Sequence, residues 1–422
     1  MAEKTDSGAG NLHGPLPSGE FSDRLEVFEP GLEIDGETVS RTFQPSFTVT
    51  AEGTLLCFCQ GRVGDGWDDD MKVVLVNRSF DHGLTWEGAR AICSPMNHFA
   101  VSSYTTGERG AEVISVLTCV DLHLTRRYYG DDPGRSLDRT GLDLENLGPE
   151  TAGVLCRFVS VDQGVTWRME TLTGDRSPLG RTYEGGTLVF LNAIGQVQKM
   201  DSGPHRGRLF MAAPVYAVPE GEEITSHFRN HPCIGSGVLF SDDRGESWQM
   251  NGFIADYLAN ECSAVSISNN RELLMVRRLN PKKMFRKIPP RTDFRPEFGH
   301  RIFQTSTDWG QTWSDYRTKP ISGVPCHGTM CRVGQRIYFS IPQGYGPDVE
   351  LAWDKCREQG TIYFSDDEGD TWSHRVIEPG TFTYSTVGAL TEKRRVCFYS
   401  QGGLGEGGVA CRIFTDEWLD EA

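Results

Sequence analysis

No stretch of this 422-residue chain is apolar for long enough to cross a membrane as a helix, which takes about 20 residues. No apolar leader stands near its first residue, so the expected location is the cytoplasm, or outside the cell if a leader has been removed. Positive charge is in deficit: 42 Lys and Arg face 58 Asp and Glu, a net charge of -16. That balance excludes general nucleic-acid binding, which needs a cationic surface to neutralise phosphates. Paired cysteine motifs are missing too. The 12 cysteines are scattered. Cys57 and Cys59 fall on one face of a strand, Cys326 and Cys331 have no matching second pair, and neither spacing is that of a zinc site. Reduced, buried thiols and no metal are therefore expected. Long amphipathic helices, heptads and low-complexity segments are absent as well. Residues 1–22, polar and rich in Gly and Pro, read as a flexible tail, and 23–422 as a single domain.

What is present is a phrase written five times: SFDHGLTW from Ser79, SVDQGVTW from Ser160, SDDRGESW from Ser241, STDWGQTW from Ser306 and SDDEGDTW from Ser365. A run of strand formers precedes each copy (VVLVNR, GVLCRFV, GVLF, RIFQT, GTIYF). The phrase itself reads as a hairpin turn. Asp and Ser bond to nearby backbone, Gly takes the positive φ of a tight turn, and the closing Trp covers its own sheet. Recurrence of this kind marks a repeated structural unit.

The phrase is the Asp box, and the chain resembles the sialidases and other β-propellers that carry it. The resemblance implies an all-β fold, a six-bladed β-propeller of four-stranded antiparallel blades at about 65 residues each. It also implies that Asp81, Asp162, Asp243, Asp308 and Asp367 shape turns on the outer rim and take no part in chemistry.

The resemblance extends from about residue 41 to about residue 400 and implies a site. Substrates of this family carry a carboxylate on the anomeric carbon. A carboxylate nucleophile would be repelled by it, so the family uses a Tyr polarised by a Glu, with an Asp as acid and base. Arginines hold the substrate carboxylate, because the guanidinium fork matches it. NECSAVSISNNRELLMVRR resembles the stretch that supplies the Glu and an arginine, which implies Glu261 and Arg277. Arg357, eight residues before Ser365, matches a further arginine. TYSTVGAL resembles the nucleophile segment and implies Tyr384. The acid falls in GDGWDDD, on Asp68 with Asp70 as alternate. FQPSFTVTAEGTLLCFCQGR matches the family's opening at Pro45, Gly53, Gly61 and Arg62, but Phe43 stands where the first arginine is expected. Arg41 shares its strand face and is the candidate replacement. Ser400 stands where a Glu is usual.

Tyr183 and Glu184 in RTYEGG, NHF at 97–99 and HFRNHP at 227–232 lie between strands and are candidate sugar contacts. Basic stretches over 277–286 and 287–301 read as solvated loop or as a cationic rim for an anionic substrate. The implied activity is a retaining exo-glycosidase on a terminal sialic acid or related ulosonic acid, needing no cofactor. The alternatives are a hydrolase of another glycan and a non-catalytic propeller that binds glycan or protein.

Overall fold

In the computed structural model, residues 21–421 are described apart from 35, 67, 131–136, 143–146, 226, 228–230, 232, 281–288, 295–298, 345–356 and 403–406. The chain lays down six antiparallel sheets in succession. Blade one has strands Glu37–Val49, Leu55–Val63, Lys72–Ser79 and Arg90–Ala91, with the short Leu32–Ile34 added. Blade two has Asn97–Thr106, Val113–Asp121, Gly153–Ser160 and Arg168–Leu172. Blade three has Gly186–Leu191, Leu209–Val218, Cys233–Ser241 and Gln249–Ile254, with the short Thr182–Tyr183 and Gln198–Lys199 added. Blade four has Ala259–Ile267, Glu272–Leu279, His300–Ser306 and Arg317–Ser322. Blade five has Thr329–Val333, Arg336–Pro342, Glu358–Ser365 and Ser373–Thr381. Blade six has Thr383–Ala389, Arg394–Ser400 and Val409–Thr415, and its outer strand is Leu25–Phe28 from the other end of the chain. This is the six-bladed propeller the repeats implied, with blades one and three extended beyond four strands.

The core lies between blades. Leu55, Cys57 and Leu75 of blade one pack with Val396, Phe398 and Ile413 of blade six. On the opposite face of the same sheet, Leu56, Phe58 and Val74 meet Val116, Val154 and Phe158 of blade two. A blade is thus buried on both faces, which is why its middle strands are continuous apolar runs rather than alternating ones. Each such Leu or Phe contributes about 1.5–3 kcal/mol by leaving water.

The five boxes fall in the turns between the third and fourth strands of blades one to five. In the first, the Gly83 N–H donates to Ser79 Oγ (2.7 Å) and the Thr85 N–H to Asp81 Oδ1 (2.9 Å). The Thr85 hydroxyl donates to Asp81 Oδ2 at 2.6 Å. The other four repeat this pattern. Glycine is not alone in taking positive φ: the residue before it (His82, Gln163, Arg244, Trp309, Glu368) is also left-handed, at 58–64°. Two successive left-handed residues give the tight hairpin its twist. Blade six has no box because its third and fourth strands come from opposite ends of the chain, with no turn between them.

Phe21 and Ser22, read from sequence as tail, belong to the fold. Phe21 bridges to Phe414, the Ser22 N–H donates to Ile413 O, and the Phe21 ring stacks on Trp418. Residues 1–20 lie outside the described residues. No described helix is long and apolar enough to cross a membrane.

Candidate active site

In each blade the start of the first strand and the end of the second lie on the same face of the ring. Five first strands carry a register shift, at Phe43/Ser46, Phe99/Ser102, Leu188/Phe190, Ala259/Cys262 and Thr383/Ser385. A bulge breaks the strand's two-residue alternation and re-aims a side chain. Two of these bulges carry Glu261 and Tyr384. Tyr384 has a φ of 22°, outside the usual range of a tyrosine, a strain of the kind that gathers at functional sites.

Tyr384 and Glu261, from blades six and four, meet: Tyr384 Oη donates to Glu261 Oε1 at 2.9 Å. The other oxygen of Glu261 accepts from Arg278 Nη1 at 2.6 Å. The guanidinium of Arg357, from blade five, lies over the Tyr384 ring at 5.2 Å and donates to Pro325 O. Glu261, Arg278 and Arg357 are buried, whereas Tyr384 is partly exposed. Burial, and then the Glu261 carboxylate, holds the Tyr384 phenol well above its usual range; Arg357 and Arg278 pull it back.

Arg277, the arginine expected here from the sequence, is elsewhere. It sits opposite Cys262, on the face away from Glu261. There it makes a bidentate pair with Asp256 (2.7 Å each) and donates to Ser236 Oγ, Gln304 Oε1 and Ala259 O. Fully buried and fully bonded, it ties blade four to blade three. Arg278, one residue on, is the arginine beside Glu261. The bulge next to Glu261 decides which of the two adjacent arginines faces the site.

Blade one supplies the rest. Phe43 is buried, with its ring edge-on to Tyr384 at 4.7 Å. Both Arg41 (4.0 Å) and Arg62 (4.7 Å) place a guanidinium over the Phe43 ring. Arg62 Nη2 pairs with Asp68 Oδ1 at 2.8 Å, and the Asp68 side chain is 62% exposed. The Asp68–Asp70 loop is held by its carbonyls, which accept from Lys72 Nζ and from the Asn97 amide. Asp68, the first of the two candidate acids, thus meets an arginine of the cluster through its carboxylate. Arg41 is 2% exposed, yet its Nε and Nη1 have no hydrogen-bond partner among the described residues. Burial, then Arg62, lowers its pKa to about 10, so it is charged at neutral pH.

Two further residues were not singled out from the sequence, although Arg301 closes the basic stretch over 287–301. Arg301 donates to the Cys326 and Val324 carbonyls below the cluster. His327 is buried with its ring parallel to Tyr384 at 6.4 Å. Burial, then Arg278 and Arg301, lowers its pKa to about 3, so it is neutral. Its place just before the first strand of blade five was the available signal.

Tyr183 and Glu184 are not gathered in by any described contact: Tyr183 packs edge-on against Phe253 at 5.5 Å, and Glu184 is exposed. His227 lies 3.3 Å from the buried Asp121 and stacks on His123, but 226, 228–230 and 232 lie outside the described residues. So do 281–288 and 295–298 of the basic stretches over 277–286 and 287–301. Ser400 accepts from the Gln44 N–H, joining blade six to blade one. No cluster of metal-ligating side chains occurs among the described residues.

Fold and site together define an Asp-box propeller with a tyrosine–glutamate pair and an arginine cluster on its axial face. No family model matches the chain. It is 26% identical over 399 residues to a sialidase of Micromonospora viridifaciens, covering 93% of this chain and 54% of that protein. The chain is similar to that sialidase and spans about half the length of this curated relative. Solved structures of the same fold include a Hadza microbial sialidase (TM-score 0.62, 18% identity, 90% of this chain and 66% of that one). A Trypanosoma rangeli sialidase in complex with sialic acid gives 0.61 at 14% identity, over 96% and 60%. A leech intramolecular trans-sialidase gives 0.60 at 14%, over 93% and 71%.

Proposed function

We propose that this chain is a retaining exo-glycosidase that releases a terminal sialic acid or related ulosonic acid from a glycan. The observation that carries the reading is the 2.9 Å Tyr384–Glu261 bond ringed by arginines. Arg357, Arg278 and Arg41 hold the substrate carboxylate; Arg277 has no part in it. Asp68 gives its proton to the leaving oxygen as the glycosidic bond breaks. Tyr384 Oη attacks the anomeric carbon while Glu261 takes the phenolic proton, forming a glycosyl–tyrosine. Water then attacks the same carbon, its proton passes to Asp68, and Glu261 returns a proton to the departing phenolate.

The pair answers a specific difficulty. A phenol of pKa near 10 is ionised to only about one part in a thousand at neutral pH. Here burial and Glu261 raise it further, so the ground state is a neutral phenol. Proton transfer to Glu261 during attack removes the need for a standing phenolate.

The test is release of the aryl group from aryl ketosides of sialic acid, Kdn and Kdo, set beside neutral aryl glycosides. Ketoside turnover lost in Tyr384→Phe is expected. Turnover of a neutral glycoside alone would sink the reading.

A further inference from the structure

We propose that Phe43 is a positioning and specificity-determining residue: an aromatic shelf that aims Arg41 at the substrate carboxylate and braces the edge of Tyr384. The proposal rests on the reading of this site as one for a sugar acid, and deepens it.

Three contacts converge on one ring. Arg41 lies over it at 4.0 Å, Arg62 at 4.7 Å, and Tyr384 meets it at 4.7 Å with 61° between the rings. All but Tyr384 are buried. A charged guanidinium taken out of water needs acceptors, and two nitrogens of Arg41 have none among the described residues. Arg62 leaves only its Nε without a partner among the described residues, because Asp68 and Gly66 O satisfy its terminal nitrogens. The π face of Phe43 therefore supports the Arg41 charge at contact, with Asp68 acting on it through its field, and an arriving carboxylate supplies the missing acceptors. An arginine at position 43 would put a third guanidinium between two others. The aromatic ring lets Arg41 reach over it without that repulsion and leaves the acceptor-seeking nitrogens for ligand.

The consequence for specificity is directional. Arg41 lies over the Phe43 ring that meets Tyr384, and Arg357 lies over Tyr384 itself, so a carboxylate that suits both is held close to the carbon Tyr384 attacks. A sugar with its acid group remote from the anomeric carbon gains nothing from the shelf.

The experiment measures Kd for free N-acetylneuraminic acid by calorimetry, which needs no turnover, in wild type, Phe43→Leu, Arg41→Met and the double variant. Phe43→Leu is expected to weaken binding by roughly 5- to 30-fold, the range of a desolvated cation–π contact. In the Arg41→Met background the same change should cost less than threefold. Phe43→Tyr, which keeps the π face, should restore binding and serves as the control if Phe43→Leu folds poorly. Free glucuronic acid, whose carboxylate is remote from its anomeric carbon, should bind equally weakly to all four. Losses that multiply independently, a Phe43→Leu protein that binds like wild type, or no binding by wild type overturn the shelf. Wild-type ketoside turnover without coupling removes the shelf and leaves the hydrolase. Coupled binding without turnover does the reverse.

Discussion

Replacing Glu261 by Gln separates two ways in which a carboxylate can serve a phenol nucleophile. If Glu261 acted only through its field, its negative charge would hinder ionisation, since two unit charges 2.9 Å apart repel by about 6 kcal/mol at an effective dielectric constant of 20. That upper bound corresponds to roughly four pKa units. Arg278, 2.6 Å from the same carboxylate, offsets much of it. In Glu261→Gln the repulsion goes, while Arg278 and Arg357 stay. The Tyr384 phenol should then ionise about one to three units lower than in wild type. Yet the proton acceptor is lost, so kcat/KM on an aryl ketoside at neutral pH should fall by roughly 10²–10⁴. The two effects leave a joint signature. Activity of the variant should climb tenfold per pH unit on the alkaline side, in step with the phenolate absorbance near 295 nm that Tyr384→Phe abolishes. A variant whose kcat/KM stays within tenfold of wild type at neutral pH, or whose activity ignores the phenolate titration, refutes Glu261 as proton acceptor. Because Arg278 loses its buried partner, the variant should also be less stable by about 3–5 kcal/mol, so rates are to be read well below its melting temperature.

The two adjacent arginines should part company: Arg277→Leu strands the buried Asp256 and should cost about 3–5 kcal/mol in a denaturant melt with KM nearly unchanged. Arg278→Met should instead lower kcat/KM by roughly 10- to 150-fold, the loss of one charge-assisted contact. Asp68→Asn should slow an unactivated glycan substrate by roughly 10²–10⁴ and a nitrophenyl ketoside much less, because a good leaving group needs little protonation; equal losses would remove Asp68 as the acid. Acid should destabilise the protein through its buried histidines. His98 and His327 are each lowered from 6.5 to about 3 by burial first, with Lys72 acting on His98 and Arg278 and Arg301 on His327. The unfolded chain binds these protons near pH 6.5 and the folded chain does not, so stability falls as pH drops from 6.5 towards 3. Between pH 7 and pH 5 the cost is about 2 kcal/mol per histidine. His327→Gln should lose less stability over that interval than wild type in paired melts, and an identical pH slope would contradict the burial of a neutral imidazole.

The propeller was legible because each Asp box is local. Serine, aspartate and glycine within eight residues fix a turn by hydrogen bonds among themselves, so no distant contact has to be known. The absence of a sixth box also had a meaning that only closure of the ring reveals. The site was legible where a single residue type is irreplaceable, at Tyr384 and Glu261. It was not legible at Arg277 and Arg278, where strand alternation alone cannot say which faces inward. The deciding feature is a bulge opposite, and a bulge is a property of the pair of strands. Arg41 posed the inverse problem: the residue at position 43 looks like a loss until the ring is seen to carry the guanidinium of position 41. Arg301 and His327 left no motif, because their roles rest on neighbours from other blades.

The outer strand of the sixth blade comes from Leu25–Phe28, and the first strand of that blade carries Tyr384. The seam of the ring and its candidate reactive centre therefore share one sheet. Assembly of the first five blades leaves the sheet of Tyr384 without its outer strand until Val409–Thr415 reaches back to the opposite end of the chain. A chain that ended before Val409 would keep five blades but leave the sheet of Tyr384 without two of its four strands. Catalytic competence should appear last and all at once, making activity a more sensitive reporter of ring closure than secondary-structure content.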